Sequence, residues 1–171
     1  RDHRSFNASN LKLELQQGND ELLFRYGLDL GLLSAHYSYA SSLDVAAGEP
    51  FPDSPPSLTV RESNLQPDGS QQGAFVSGRW RMRDRLTGEL GMRWDNQTWD
   101  RVDGGTQLSP RLNLRYDPDA RTQLRASWGR FYQAQGINEL QVEDGIDTFF
   151  PAQRADHLIL SAEHALENRV R

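Results

Sequence analysis

The side chains that could do chemistry in this chain are carboxylates, histidines and arginines, and none of them forms a recognisable catalytic motif. The four histidines are scattered over separate stretches, so their spacing does not predict a metal site. No glycine-rich phosphate loop and no nucleophile elbow is present. Aspartates cluster in two polar stretches and could line a cation site, although they lack the order of an EF-hand loop: Asp95, Asp100, Asp103, Asp144 and Asp147. The sequence therefore predicts neither an enzyme nor a bound cofactor.

Arginine is the charged side chain whose placement follows a regular pattern. Lys12 is the only lysine, so the rest of the 19 basic residues are arginines. From 108 to 132 the chain alternates apolar and polar residues on both sides of a polar break at 117–120, which predicts a β-hairpin. An arginine-rich face opposite large aromatics suits a strand between lipid and a wet lumen. We expect these side chains to face that lumen: Arg25, Asp29, Arg79, Arg81, Glu89, Arg93, Arg111, Arg115 and Arg125.

Length and composition limit the classes to which the chain can belong. With 171 residues it has the size of one domain with a sizeable core. No apolar run approaches the roughly 18 residues that a transmembrane helix needs. A net charge of −5 without a basic patch argues against nucleic-acid binding. The chain begins without methionine and stops inside an alternating stretch, so we expect it to be a piece of a longer protein.

Period-2 alternation predicts an all-β fold, an antiparallel up-and-down meander of about seven or eight long strands. The predicted strands cover 9–17, 21–40, 73–82, 86–99, both halves of the hairpin at 108–132, and 154–166, with one more after 168. The alternation slips near Leu32 and Leu33, where we expect a bulge or a change of exposure. In the first tight turn, Gly18 and Asn19 are both available for positive φ.

The connections between the predicted strands alternate between short and long. Short turns are expected near 18–20, 83–85, 117–120 and 167–168, and long loops at about 41–72, 100–107 and 133–153. Residues 58–60 could form a short strand within the first long loop. Short turns at one end and long loops at the other are typical of outer-membrane barrels. Aromatics near both strand ends fit two membrane-interface belts: Trp80 and Tyr116 near short turns, and Tyr37, Tyr39, Trp94, Trp99 and Trp128 towards the long loops.

Between about 23 and 163 the chain contains a series of short motifs in a fixed order. They are Ala74-Phe75-Val76, Arg79-Trp80-Arg81, Asp84-Arg85-Leu86-Thr87, Gly91-Met92-Arg93-Trp94-Asp95, Ser109-Pro110-Arg111-Leu112, Leu124-Arg125-Ala126-Ser127-Trp128-Gly129-Arg130-Phe131, Asn138-Glu139-Leu140, Arg154-Ala155-Asp156-His157 and Glu163-His164. Their order and spacing resemble the barrel of TonB-dependent outer-membrane receptors. The chain departs from the family at 133–136, where an alanine-proline pair is common.

The resemblance implies that 1–171 is a partial transmembrane β-barrel domain, an open segment of a 22-stranded barrel in the bacterial cell outer membrane. Family members hold a plug domain inside the barrel and take up scarce ligands: siderophore-iron, cobalamin or glycans. The implied partners are outer-membrane lipid and an extracellular ligand such as a ferric siderophore. In the full-length protein they also include the plug and the TonB energy-transducing complex. The resemblance implies no cofactor.

Four side chains near the outer mouth are the candidates for contact with a ligand: Tyr39, Arg93, Trp99 and Arg130. Arginines would attract an anion such as a ferric siderophore, whereas Trp99 or Tyr39 would stack on a neutral glycan. Two other classes stay open. A passive porin would share the alternation and the loop asymmetry, and a soluble β-sandwich module would need a second sheet. Alone in water, the segment would expose edge strands and an apolar face, so we expect it to aggregate.

Overall fold

The computed structural model describes residues 1–45, 57–99 and 107–166, which form one open antiparallel sheet. The prediction of an all-β meander of seven or eight long strands is confirmed, and the strands are neighbours in the order β1-β2-β4-β5-β6-β7-β8, with β3 also paired to β2. None of the described residues belongs to a helix long and apolar enough to cross a membrane. The strands are β1 (Asp2–Gly18), β2 (Leu22–Val45), β3 (Ser57–Leu65), β4 (Asp68–Arg83), β5 (Leu86–Gln97), β6 (Gln107–Asp119), β7 (Thr122–Gln133) and β8 (Gln153–His164).

Strands β3 and β4 follow one another along the same edge of β2. Tyr37 pairs with Leu65 and Ser34 pairs with Asp68, so the register continues unchanged across the interruption. Pro67 has no N–H to donate, but its carbonyl oxygen still accepts a hydrogen bond from the amide of Ala35 at 2.9 Å. Much of the predicted loop at 41–72 is therefore an extended hairpin. The short strand expected at 58–60 lies within β3. Its alternation ends there because polar residues follow at 61–64 on both faces.

Alternation gives the sheet two faces, which we call outer and inner. The outer face is apolar, and the inner face carries Arg25 and Asp29 between the outer leucines of β2. The register of β2 with β1 and β4 runs without a shift past Leu33, so the slip in the alternation is a change of exposure and not a bulge. On β2 the outer face consists of these side chains, 38–69% exposed in this open sheet: Leu22, Phe24, Tyr26, Leu28, Leu30 and Leu32.

The positions predicted for the two aromatic belts are correct for some residues and wrong for others. Register places Trp80 and Tyr116 on the outer face near the short turns, and Trp94 and Trp128 on the same face towards the long loops. Tyr37 and Trp99, in contrast, are only 1% and 7% exposed and pack in a buried cluster, so they cannot belong to a lipid-facing belt. Tyr39 packs against the same cluster.

The short turns lie at the end of the sheet opposite to the long connections, as predicted. Gly18 has φ of +136°, and a Cβ there would lie 2.0 Å from the carbonyl oxygen of Leu22, so only glycine fits. Asn19 does not take positive φ; its Oδ1 instead accepts the backbone N–H groups of Glu21 and Leu22, both at 2.9 Å.

The turn of the hairpin at 108–132 lies slightly later than predicted. Strand β6 continues through Pro118 to Asp119, with a register irregularity between Tyr116 and Asp119, and the turn follows at 120–121. Most of the predicted loop at 100–107 and the strand expected after 168 lie outside the described residues.

Candidate functional site

The charged residues predicted to face a lumen share the inner face of the sheet. Arg79 lies opposite Glu89, and Arg115 lies opposite Arg125. The exposed leucines of these strands occupy the alternate positions, so the charges point to the other side. That this face lines a lumen stays a prediction. The residues brought together are Arg25, Asp29, Arg79, Arg81, Glu89, Arg93, Arg111, Arg115 and Arg125.

Part of this charge is neutralised within the sheet. The guanidinium of Arg93 lies between Asp29, at 2.9 Å, and Asp95, at 2.7 Å. A Cβ at Gly73 would lie 2.8 Å from both Arg93 and Asp95, so the glycine leaves the space that this pair occupies. Arg25 pairs with Glu14 on β1. The Arg25–Glu14 pair joins neighbouring strands, and Arg93 joins β5 to β2 across β4, which is a structural role that needs no ligand.

Nearer the short turns, the inner face holds an excess of positive charge. A hollow of about 440 Å³, which we call the arginine hollow, is lined by four arginines, Arg79, Arg81, Arg115 and Arg125, and by two carboxylates, Asp20 and Glu89. Arg115 pairs with Asp117 at 3.0 Å. Arg79, Arg81 and Arg125 make no ion pair within the part of the chain that the structure describes. This end of the inner face therefore attracts negative charge.

At the opposite end, the connection between β7 and β8 folds inward over the sheet. This segment, residues 134–152, which we call the inner loop, contains a single 3₁₀ turn at Val142–Asp144. Its apolar side chains pack against β2 and the end of β5 in a cluster that is the main buried core of the described residues. The buried members are Ala35, Tyr37, Trp99, Ile137, Leu140, Val142 and Phe149.

Polar contacts fix the inner loop in this position. The hydroxyl of Tyr37 donates to the carbonyl oxygen of Ile137 at 2.8 Å and accepts the backbone N–H of Leu140 at 3.0 Å. Arg4 on β1 pairs with Glu143 at 2.6 Å, and its guanidinium carbon lies 5.9 Å from the centre of the Tyr37 ring. Arg61 on β3 donates to the carbonyl oxygen of Glu143 at 2.8 Å. The loop is thus held by strands far from it in sequence.

A cleft of about 550 Å³ opens between the inner loop, the junction of β3 and β4, and the end of β5. We call it the mouth cleft. Its apolar floor is formed by Leu65, Trp99, Leu140 and Phe149. Its polar lining consists of Gln66, Asp68, Thr98, Asp147 and Thr148, and it includes no arginine, lysine or histidine among the described residues.

Of the four side chains predicted to contact a ligand, the structure brings Tyr39 and Trp99 to the same buried cluster and places Arg93 and Arg130 elsewhere. Trp99 lines the mouth cleft, but it is mostly buried and its indole N–H donates to the carbonyl oxygen of Gln135 at 3.1 Å. Tyr39 is half-buried against the cluster, and Arg93 is ion-paired deeper on the inner face. Arg130 lies on the outer face, where it pairs with Asp156 at 2.8 Å. Their contact with a ligand stays a prediction.

The sequence analysis missed the packing of the inner loop, and of the acidic residues that line the mouth cleft it named Asp147 but not Asp68. The signal available was four apolar residues, Ile137, Leu140, Val142 and Phe149, in a stretch interpreted as a loop. They follow no helical or strand period. Across the described residues, no group of three or more histidines, cysteines or carboxylates is placed to hold a metal ion. The rings of His3 and His36 lie 6.4 Å apart on the outer face.

Comparison with known proteins agrees with this architecture. A family model described as TonB dependent receptor-like, beta-barrel, matches residues 1–157. No curated protein and no solved structure matches the chain. The family match covers most of the 171 residues, including the charged inner face and the start of β8. An open meander with an apolar outer face and a charged inner face is what a segment of such a barrel requires. The chain belongs to the TonB-dependent receptor-like β-barrel family.

Proposed function

We propose that this chain forms part of the barrel wall of an outer-membrane receptor that takes up a scarce ligand by TonB-dependent active transport. The observation that carries the proposal is that the chain belongs to a receptor-barrel family and that its inner loop folds over the long-loop end of the inner face. In this proposal the outer face contacts lipid. The inner face surrounds a plug domain supplied by the full-length protein.

The dimensions of the apolar outer face support a position in a membrane. From Leu22 to Leu32, β2 carries six outward apolar side chains over ten residue steps, which is about 33 Å at roughly 3.3 Å per step. Strands of outer-membrane barrels are tilted by about 40°, which reduces this length to roughly 25 Å along the membrane normal. The apolar band of such barrels is also about 25 Å tall. Beyond Leu32 the outer face turns polar with Ser34, His36 and Ser38.

The two ends of the inner face suggest different tasks. Charges in the arginine hollow lie near the short turns, the periplasmic side in this proposal, where they would contact an acidic surface of the plug. The mouth cleft and the inner loop lie at the long-loop end, where ligand arrives from outside. Trp99 and Tyr39 support this end as the ligand side, because one lines the mouth cleft and the other packs beside it.

The test is uptake by cells that express the full-length receptor, with and without a functional TonB protein. We would measure uptake of a labelled panel that contains a ferric siderophore, cobalamin and oligosaccharides. We expect one class of compound to be taken up. Without TonB, its uptake should fall to the background measured in cells that lack the receptor.

A second measurement distinguishes this proposal from a passive porin without knowledge of the ligand. The purified full-length protein is inserted into a planar bilayer, and its conductance is recorded. A plugged receptor gives no steady open conductance, whereas a porin gives steady water-filled openings. Uptake that does not depend on TonB, together with steady conductance, would overturn active transport in favour of the porin.

A further inference from the structure

We propose that the mouth cleft binds an uncharged, polyhydroxylated ligand, an oligosaccharide, and that it discriminates against anions. This inference rests on the proposed function, since it names the class of ligand that the receptor takes up. The volume, the lining and the charge of the mouth cleft support this ligand class.

The volume and the floor of the mouth cleft suit a small organic ligand. At about 550 Å³ it is within the range of small-molecule sites, roughly 300–1,000 Å³. Its floor combines aromatic and aliphatic side chains, among them Trp99 and Phe149, each 7% exposed. An apolar floor beneath a polar rim matches a molecule that has an apolar face and hydrogen-bonding groups at its edge.

The rim supplies hydrogen-bond acceptors that have no partner among the described residues. Asp147 lies on the inner loop, and Asp68 lies at the start of β4 opposite Ser34, where it lines both the mouth cleft and the outer side of the sheet. Both residues are exposed, and neither carboxylate makes an ion pair or a hydrogen bond within the described chain. An ionised carboxylate only accepts hydrogen bonds, so it selects for ligand groups that donate them. Sugar hydroxyls are such donors, and their bonds to carboxylates are charge-assisted. Gln66 and Thr148 add polar groups of both kinds.

The distribution of charge argues against an anionic ligand at this site. Two carboxylates line the mouth cleft. Of the described cations beside the inner loop, Arg4 is neutralised by Asp2 and Glu143, whereas Arg61 keeps its charge and donates to the carbonyl oxygen of Glu143. The surplus arginines lie in the arginine hollow, at the other end of the sheet. An anion approaching from the long-loop side would therefore meet negative charge first.

The experiment measures binding to the purified full-length receptor in detergent micelles, so that it does not depend on TonB. The probes are an array of uncharged oligosaccharides, ferric citrate as an anionic chelate, cyanocobalamin as an uncharged compound that is not a sugar, and spermidine as an organic cation. The variants are Asp147→Asn and Asp68→Asn, with Asp144→Asn as a control on the same loop outside the cleft.

We expect at least one oligosaccharide to bind, and each cleft variant to weaken that binding roughly tenfold, because an amide is a poorer acceptor than a carboxylate. The Asp144→Asn control should bind as the unmodified receptor does. The inference is overturned if no oligosaccharide binds, if ferric citrate binds and binds more tightly after Asp147→Asn, or if cyanocobalamin or spermidine is the preferred probe. Oligosaccharide binding without TonB-dependent uptake would sink the proposed function and leave this inference standing.

Discussion

Removing the hydroxyl of Tyr37 should release the inner loop without disturbing the strands. In the Tyr37→Phe variant, the N–H of Leu140 and the carbonyl oxygen of Ile137 both lose their partner. Both residues are almost completely buried, at 1% and 0% exposure, so water cannot replace the hydroxyl while the loop stays docked. At about 1 kcal/mol for each unsatisfied buried group, the low end of the usual range, docking weakens by about 2 kcal/mol. That corresponds to roughly a 30-fold increase in the opening equilibrium.

Hydrogen–deuterium exchange of the intact receptor in micelles measures this effect directly. Peptides that cover 137–146 should exchange roughly 30-fold faster in Tyr37→Phe, whereas peptides from β4 and β5 should be unchanged. Tyr39→Phe is the matched control, because Tyr39 packs against the same cluster but its hydroxyl makes no hydrogen bond within the described residues. Exchange at 137–146 within about twofold of the unmodified protein would refute the reasoning, and equal effects in both variants would attribute it to packing alone.

Two more predictions concern the orientation of the sheet and its outer face. The chain has no cysteine, so a single introduced cysteine can be labelled specifically. A membrane-impermeant maleimide applied to intact cells should label Asp144→Cys, on the inner loop, and should not label Asp20→Cys, in a short turn. The reverse pattern would invert the proposed orientation. Leu28→Arg places a charge in the middle of the apolar outer face and should lower the free energy of unfolding by about 2–4 kcal/mol, whereas Ser38→Arg, on the same face beyond the apolar band, should cost at most about 1 kcal/mol. Urea unfolding in lipid vesicles measures both, and equal costs would contradict lipid contact at Leu28.

The apolar band of the sheet could be predicted because apolar residues occupy every second position from Leu22 to Leu32. A one-residue shift would move these residues to the inner face and Arg25 and Asp29 to the outer face, so the sequence specifies both the strand and its face. The turn residues were informative in part. Gly18 takes the positive φ that its type suggested, whereas Asn19 does not.

Outside the apolar band, the alternation is short and irregular. Leu58 and Val60 indicated a short strand at 58–60, but polar residues follow on both faces, so the full extent of β3 and the start of β4 could not be detected, although register extends through them. Arg130 was expected at the mouth. Because β7 stays regular to Gln133, Arg130 shares the outer face with Trp128.

The mouth cleft could not be predicted because its walls come from three separate parts of the chain. Asp68, Trp99 and Asp147 are adjacent only after the inner loop has docked. No local period marks that docking, since Ile137, Leu140 and Val142 are anchored by a tyrosine on β2. A single sequence records the apolar residues of such a loop but not the surface on which they pack.

The anchoring of the inner loop on Tyr37 also has a consequence for the order of folding. The two hydrogen bonds of this hydroxyl join residues that are 100 and 103 positions apart in the chain. Closing a loop of that length costs entropy that no local contact repays, and such contacts form late when topology sets the rate. Strands β3 to β7 lie between the partners in the chain, and we expect them to pair before the inner loop docks on β2. A molecule arrested before that step would then have paired strands but no mouth cleft.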